Sequence, residues 1–307
     1  MKVQTLLICA SVALLAGCNN DNTPATTDAD GRVALQVSGG ISVQTRAQND
    51  QWTANDAIGI YMTQNGEIAE AAENRKYTTT DGTTAFKAAE GQTIYFPADN
   101  KPVDFVAYYP YTKTLKSGAF ALDVSNQTDL PAIDLMVAET KSPAEHPYNK
   151  DNSEVPFSFT HRLAKLELTI AAGTGISDDD LDNLKVEITR QRTSGSYDPL
   201  YRAFGVDSEP VETITLNTTA NGASAQAILL PTTAADGNNP ILTGRKLIFT
   251  LKTTGDTFTW AVPDDKEFKQ GDRNIYKIII NRNDLQVTAS IVNWNDNDES
   301  NIPGSAE

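Results

Sequence analysis

The sequence predicts an all-β protein, and two observations carry that prediction. Apolar residues recur with a period of two rather than 3.6 along most of the chain, and short polar turns separate the alternating runs. A third observation concerns organisation. Two fields of such runs are divided by "KSPAEHPYNKDNSEVP", rich in Pro, Asn and charge, which predicts two antiparallel β-sandwich domains in tandem, 32–152 and 153–307.

Taken in order, the chain opens on "MKVQTLLICASVALLAGC", a lysine followed by an apolar run from Leu6 to Ala16 broken at Ser11. That run is shorter than the ~20 residues a bilayer helix needs and has the form of a signal peptide over 1–17. It closes on Leu15, Ala16, Gly17 and Cys18, which resemble the lipobox of bacterial lipoproteins: small residues admit the peptidase, and the Cys18 thiol receives a diacylglycerol. A plain secretory signal is the alternative. Cys9 falls inside the removed peptide, so Cys18 is the only thiol of the exported chain and no internal disulfide can form. Each buried acyl CH₂ contributes ~0.8 kcal/mol, so two or three acyl chains anchor the protein to a membrane, and the lipid is its only membrane contact. Residues 18–31 are polar and aperiodic and read as a flexible tether, resembling the acidic signal that sends lipoproteins to the outer face of some Gram-negative bacteria.

The first strand follows at Val33, Leu35 and Val37. Gly39 and Gly40 then loosen the chain, and Arg46 stands as the only Lys or Arg between Arg32 and Arg75. Further alternations run through Ile58, Ile60 and Met62; Val103, Phe105, Ala107 and Tyr109; Leu166, Leu168 and Ile170; Leu247, Phe249 and Leu251; and Leu285, Val287, Ala289 and Ile291. Between them "QNGE", "TTDGTT", "AADGNNP" and "TTGD" signal turns of sheets with one wet face. Helix is expected only at 67–74, "EIAEAAEN", and at 177–184, where Ser177 can cap a first turn rich in Asp.

Formal charge is −15 with no basic cluster to relieve it. Nucleic acid and anionic lipid surfaces both need a positive patch and are excluded as partners. No Cys pair, H-E-x-x-H, P-loop or G-x-G-x-x-G is present, so no metal, nucleotide or other cofactor is expected. His146 and His161 stand outside any nucleophile motif and read as structural, which leaves catalysis without a constellation. A carboxylate pair for a sandwich-fold hydrolase is not singled out. "NWNDNDES" at 293–300 alternates oxygen side chains but lacks the turn glycine and closing glutamate of a calcium loop. Tyr108, Tyr109 and Tyr111 of "YYPYT" could stack on sugar; packing over a strand end is the favoured reading.

In order, "VALQVSGG…TRAQNDQWTANDAIGIYM", "DFVAYYPYT", "VPFSFTHRLAKLELTI" and "YKIIINRNDLQVTASIVNWND", behind a lipobox, resemble the Mfa-like fimbrillins, the type V pilins of Bacteroidales. The likeness implies a non-enzymatic pilus subunit or tip adhesin on the outer membrane and cell surface, with two transthyretin-like sandwiches. It implies an Arg-specific, trypsin-like surface protease cutting between Arg46 and Ala47, which removes the lipid and the strand bearing Val33, Leu35 and Val37. A C-terminal strand of a neighbouring pilin subunit then fills the groove. Leu285, Val287, Ala289 and Ile291 offer a donor with the same alternation, and equally well the last strand of their own domain. A host or bacterial surface glycan or protein is the adhesion partner expected. The alternatives are a lipid-retaining anchor and a surface lipoprotein that binds glycan for carbohydrate uptake.

Overall fold

The computed structural model describes residues 27–41, 51–115, 118–208, 210–232 and 241–293, with the backbone alone at 292, 293, 303 and 304. The all-β expectation holds: a single turn of α-helix, α1 (Leu130–Ile133), and one 3₁₀ turn at Asp178–Leu181 are the only helices among the described residues.

The N-terminal unit is a barrel-like sheet where an antiparallel β-sandwich was expected. Strands β1 (Gln36–Ile41), β2 (Ala57–Gln64), β4 (Arg75–Thr78), β5 (Ala85–Ala88), β6 (Asp104–Tyr109), β8 (Met136–Thr140) and β9 (Glu154–His161) form a ring closed by the pairing of β2 with β6. Closure removes the edges that an open sheet must protect. Ile58, Ile60 and Met62 on β2 and Phe105, Ala107 and Tyr109 on β6 point into the barrel. Their alternates Tyr61, Val106 and Tyr108 point out and are buried as well, because the second unit packs on that side. This two-sided burial is why "FVAYY" reads as an unbroken apolar run.

The helix expected at 67–74 is not formed. Asn65 (φ 55°) and Gly66 (φ 84°) occupy the two central positions of a tight turn that folds β3 (Glu67–Ile68) back on β2. Positive φ at both positions is what a type I′ hairpin demands, so the "NG" turn overrides the helical propensity that follows it. At 177–184 the chain makes the 3₁₀ turn, with Asp180 accepting hydrogen bonds from the Ser177 N–H and hydroxyl.

β9 pairs with both β1 and β8, so the barrel runs on to His161, beyond the division expected at 152. The second unit begins at β10 (Ala164–Ala172). Two sheets face one another there. One orders β15 (Asn217–Thr218), β16 (Ser224–Leu229), β10, β19 (Asp272–Ile280), β20 (Leu285–Asn293) and β21 (Pro303–Gly304). The other orders β14 (Val211–Thr215), β11 (Lys185–Arg192), β17 (Lys246–Thr250) and β18 (Thr257–Ala261). Leu166, Leu168 and Ile278 meet Val186, Ile188 and Phe249 in the core between them.

Chain from the first unit is built into the second. β7 (Phe120–Asp123) pairs with β12 (Ser194–Asp198), which pairs with β13 (Ala203–Val206). Leu122, Val124 and Leu135 join the sandwich core. The Gln127 side chain accepts from the Ile228 N–H at 2.8 Å and donates to the Ile228 carbonyl at 2.9 Å, capping β16 as a neighbouring strand would.

The first-strand slot and the C-terminal edge

β1 is a wall strand of the barrel with partners on both sides. It runs parallel to β9 along all of Gln36–Ile41 and antiparallel to β5 at Val37 and Ser38. Leu35 and Val37 turn inward and are 5% and 8% exposed; Val33 is half-buried against the same core. The Gln36 N–H donates to the Ser153 carbonyl at 3.0 Å and the Gly39 N–H to the Thr84 carbonyl at 2.7 Å. Just upstream, Phe96 N–H donates to the Val33 carbonyl at 3.0 Å, and the Arg32 guanidinium lies 4.1 Å from the centre of the Tyr95 ring.

An aromatic cluster closes one end of the slot. Trp52 meets Phe86, Tyr109 and Phe159 edge to face, with centroids 5.0, 5.3 and 5.2 Å away, and its indole N–H donates to the Gly39 carbonyl at 2.7 Å. Gly39 sits close under these rings: a Cβ there would stand 3.1 Å from both Phe86 and Phe159, which would have to give by tenths of an ångström. Trp52 therefore fastens β1 by a bond to its main chain and a close approach of its backbone. A cavity of about 70 Å³ lies beside it, lined by Ile41, Gln51, Trp52 and Asp134 among others. The sequence reading included Trp52 in the family motif without a role for it. The available signal was the Gly pair inside an alternating strand.

Other polar groups nearby are structural. Tyr109 donates to Asp56 at 3.1 Å, and burial, with Asp56 beside it, pushes its phenol up. The buried His161 Nδ1 lies 2.9 Å from Asp134, and His146 is exposed. Tyr108 donates to Asn74 at 2.7 Å and is buried, so the favoured reading of "YYPYT" as packing agrees with the structure at Tyr108 and Tyr109. Among the described residues no group of three or more His, Cys, Asp or Glu is placed to hold a metal, and no helix is long and apolar enough to cross a membrane.

At the far end of the chain β20 pairs with β19 over its whole length, from Asp272–Asn293 to Ile280–Leu285. It therefore forms a strand of its own domain. Leu285, Val287 and Ala289 are half-buried against the sandwich core, whereas Ile291 is 48% exposed. On its outer side, among the described residues, β20 meets β21 at Ala289 and Ser290. On β10 of the same sheet Glu167 forms an ion pair with Lys165 at 2.7 Å and accepts a hydrogen bond from Arg273 at 2.7 Å. Burial raises its carboxyl, and the two cations more than offset this, leaving it below the usual range.

Cys18, Arg46, Ala47 and the 293–300 loop beyond Asn293 lie outside the described residues.

The model of the fimbrillin-like family matches residues 45–294, most of the chain. The chain belongs to that family. The matched span of this fimbrillin-like chain leaves out β1 and takes in β20. A fimbrium subunit of Bacteroides uniformis, provisionally named Fim1C, is 40% identical over 320 aligned residues covering all of both chains. Among solved structures, a provisionally described cell adhesion protein of Bacteroides uniformis superimposes with TM-score 0.74 at 37% identity, over 87% of this chain and 100% of that one. Another, from Bacteroides ovatus, gives TM-score 0.66 at 21% identity over 87% of this chain and 99% of that one, a likeness in fold alone.

Proposed function

We propose that this fimbrillin-like chain is a subunit of a cell-surface pilus, exported as a lipoprotein on Cys18 and matured by cleavage between Arg46 and Ala47. Cleavage releases β1 together with the lipid, and a strand from a neighbouring subunit takes its place. Polymerisation thereby waits for the surface protease, and the pilus serves attachment of the cell.

The position of β1 is the observation that supports this most. It is a wall strand paired on both flanks, and nothing but its own two ends joins it to the rest of the chain. Cutting behind it frees the whole strand. Burying Leu35 and Val37 is worth roughly 1.5–3 kcal/mol each, and an empty slot would also leave the backbone groups of β5 and β9 unpaired. A replacement strand recovers both terms by β-augmentation. The indole N–H of Trp52 waits for one carbonyl of that strand.

The test is Arg46→Ala in cells that assemble the pilus. The variant is expected to stay in the membrane fraction uncut, still beginning at the acylated Cys18, and to yield no polymer in sheared surface material. Polymers formed by an uncut Arg46→Ala chain would refute the proposal.

A further inference from the structure

A polar groove lies where the loop after β7 crosses the edge of the sandwich. Two hollows of about 510 and 260 Å³ share Thr128 and Asn217 in their walls, one reaching to Thr215 on β14 and the other to Gln226 on β16. Neither β1 nor β20 lines them, so the uncut and the cut subunit carry the groove alike. Building on the reading of the chain as an attachment subunit, we infer that this groove binds a neutral glycan and is where the pilus meets surface carbohydrate.

The lining excludes other ligands first. Among the described residues Asp129 is the one charged group of the walls, and no Lys, Arg or His stands there. A phosphate, sulfate or carboxylate ligand would find no cation, on a chain whose formal charge is already −15. An extended peptide would find no free ladder. Asn217 and Thr218 pair with Gln226 and Ala225, and Gln127 takes both main-chain groups of Ile228, whereas strand addition needs such groups open.

What stays open is side-chain amide and hydroxyl. Among the described residues no hydrogen bond within the chain occupies the Thr215 hydroxyl or the Gln226 amide, and Asn217 uses only its Nδ2, toward the Gln127 and Thr128 carbonyls. Such groups both donate and accept, as the hydroxyls of a sugar do. Exposed Pro131 adds apolar carbon to the wall, against which the C–H face of a pyranose can lie.

The wall is also held before any ligand arrives. Asn126 Oδ1 accepts from the Thr128 N–H at 3.0 Å and from its hydroxyl at 2.8 Å, and Gln127 fastens the loop to β16. A sugar exchanges bonds to water for bonds to protein, so its net affinity depends on donors and acceptors that need no ordering.

Calorimetric titration tests the site. The full chain, expressed with its export signal, is recovered from washed outer membrane and from sheared surface material. Each form is titrated with neutral oligomers of glucose, mannose, galactose and N-acetyllactosamine, and with heparin and galacturonate oligomers as anionic counterparts. The expected result is binding of a neutral oligomer, equal in the two forms, and none of the anionic ones. Thr215→Val, which keeps the shape of the side chain, and Gln226→Ala are each expected to weaken it roughly two- to ten-fold at an unchanged urea midpoint. Tyr201→Ala, which removes an 82% exposed ring that is not in the walls, should leave it unchanged. Binding of anionic oligomers alone, no binding of any neutral oligomer, neutral binding that neither groove variant weakens, or its loss in Tyr201→Ala would each overturn the inference. Failure of cleavage or of polymer formation would strike at the reading of the chain as a pilus subunit and be visible separately, since the titration needs neither.

Discussion

Trp52→Phe isolates the bond that fastens the first strand. The substitution keeps an aromatic ring against Phe86, Tyr109 and Phe159 and removes the indole N–H that donates to the Gly39 carbonyl at 2.7 Å. A buried acceptor left without its donor costs about 1–3 kcal/mol, equivalent to a roughly five- to 150-fold rise in the opening constant of the strand. The adjoining cavity of about 70 Å³ is lined in part by Gln51 and Thr53, so a water entering there would bring the effect to the lower end. Amide hydrogen exchange on the chain before cleavage at Arg46, with β1 in place, measures it, through the Gln36 and Gly39 N–H groups that bond Ser153 and Thr84. Their protection is expected to fall by that factor while amides in β10 and β19 change less, since β1 opens without unfolding the sandwich. Unchanged protection at Gly39, or an equal fall everywhere, would refute the idea that Trp52 acts on β1.

Other substitutions probe the same architecture. Gly59→Ala places a carbon against the Tyr108 ring and within 2.7 Å of Asn74 Oδ1, so urea unfolding should show a loss of about 1–3 kcal/mol from overpacking, whereas Gly40→Ala, facing open space, should be near neutral. The Glu167 carboxyl is held below its usual range, so the stability it confers is complete above the unfolded value near 4.5 and is lost as pH falls through the lower folded value. Glu167→Gln should therefore lower the unfolding free energy measured in urea at pH 7 by about 3–5 kcal/mol for a broken buried pair, and the gap to the wild type should narrow as pH falls below 4.5. A gap that is constant with pH would show that Glu167 acts through packing alone.

The parts of this fold that local alternation specifies were legible in the sequence. The runs at 58–62, 166–170 and 285–291 lie in β2, β10 and β20, and the turn at Asn65–Gly66 is where "QNGE" put it. What alternation cannot convey is which strand lies beside which. The parallel seam of β1 on β9 joins residues more than a hundred positions apart, and closure of β2 on β6 turned an expected sandwich into a barrel. β9 carries the same inward alternation whether it ends one unit or begins the next, so "FSFTHRLAKLELTI" concealed a boundary inside itself at Arg162–Leu163. Glu67–Asn74 reads as helix on propensity, and only the hairpin pairing of Ile68 with Thr63 overrules it. At the slot, Leu35 and Val37 were visible as an apolar face. The part of Trp52 was not, because its partner is a main-chain carbonyl that carries no side-chain signature.

The central claim is that β1 is a temporary strand, and the N-terminal residue and intact mass of the protein test it most directly, taken from sheared surface material and separately from washed outer membrane. The account predicts a sheared form beginning at Ala47, without β1 and without lipid. Recovery of the chain only with acylated Cys18, in the membrane fraction, would contradict it and leave β1 a permanent part of the barrel.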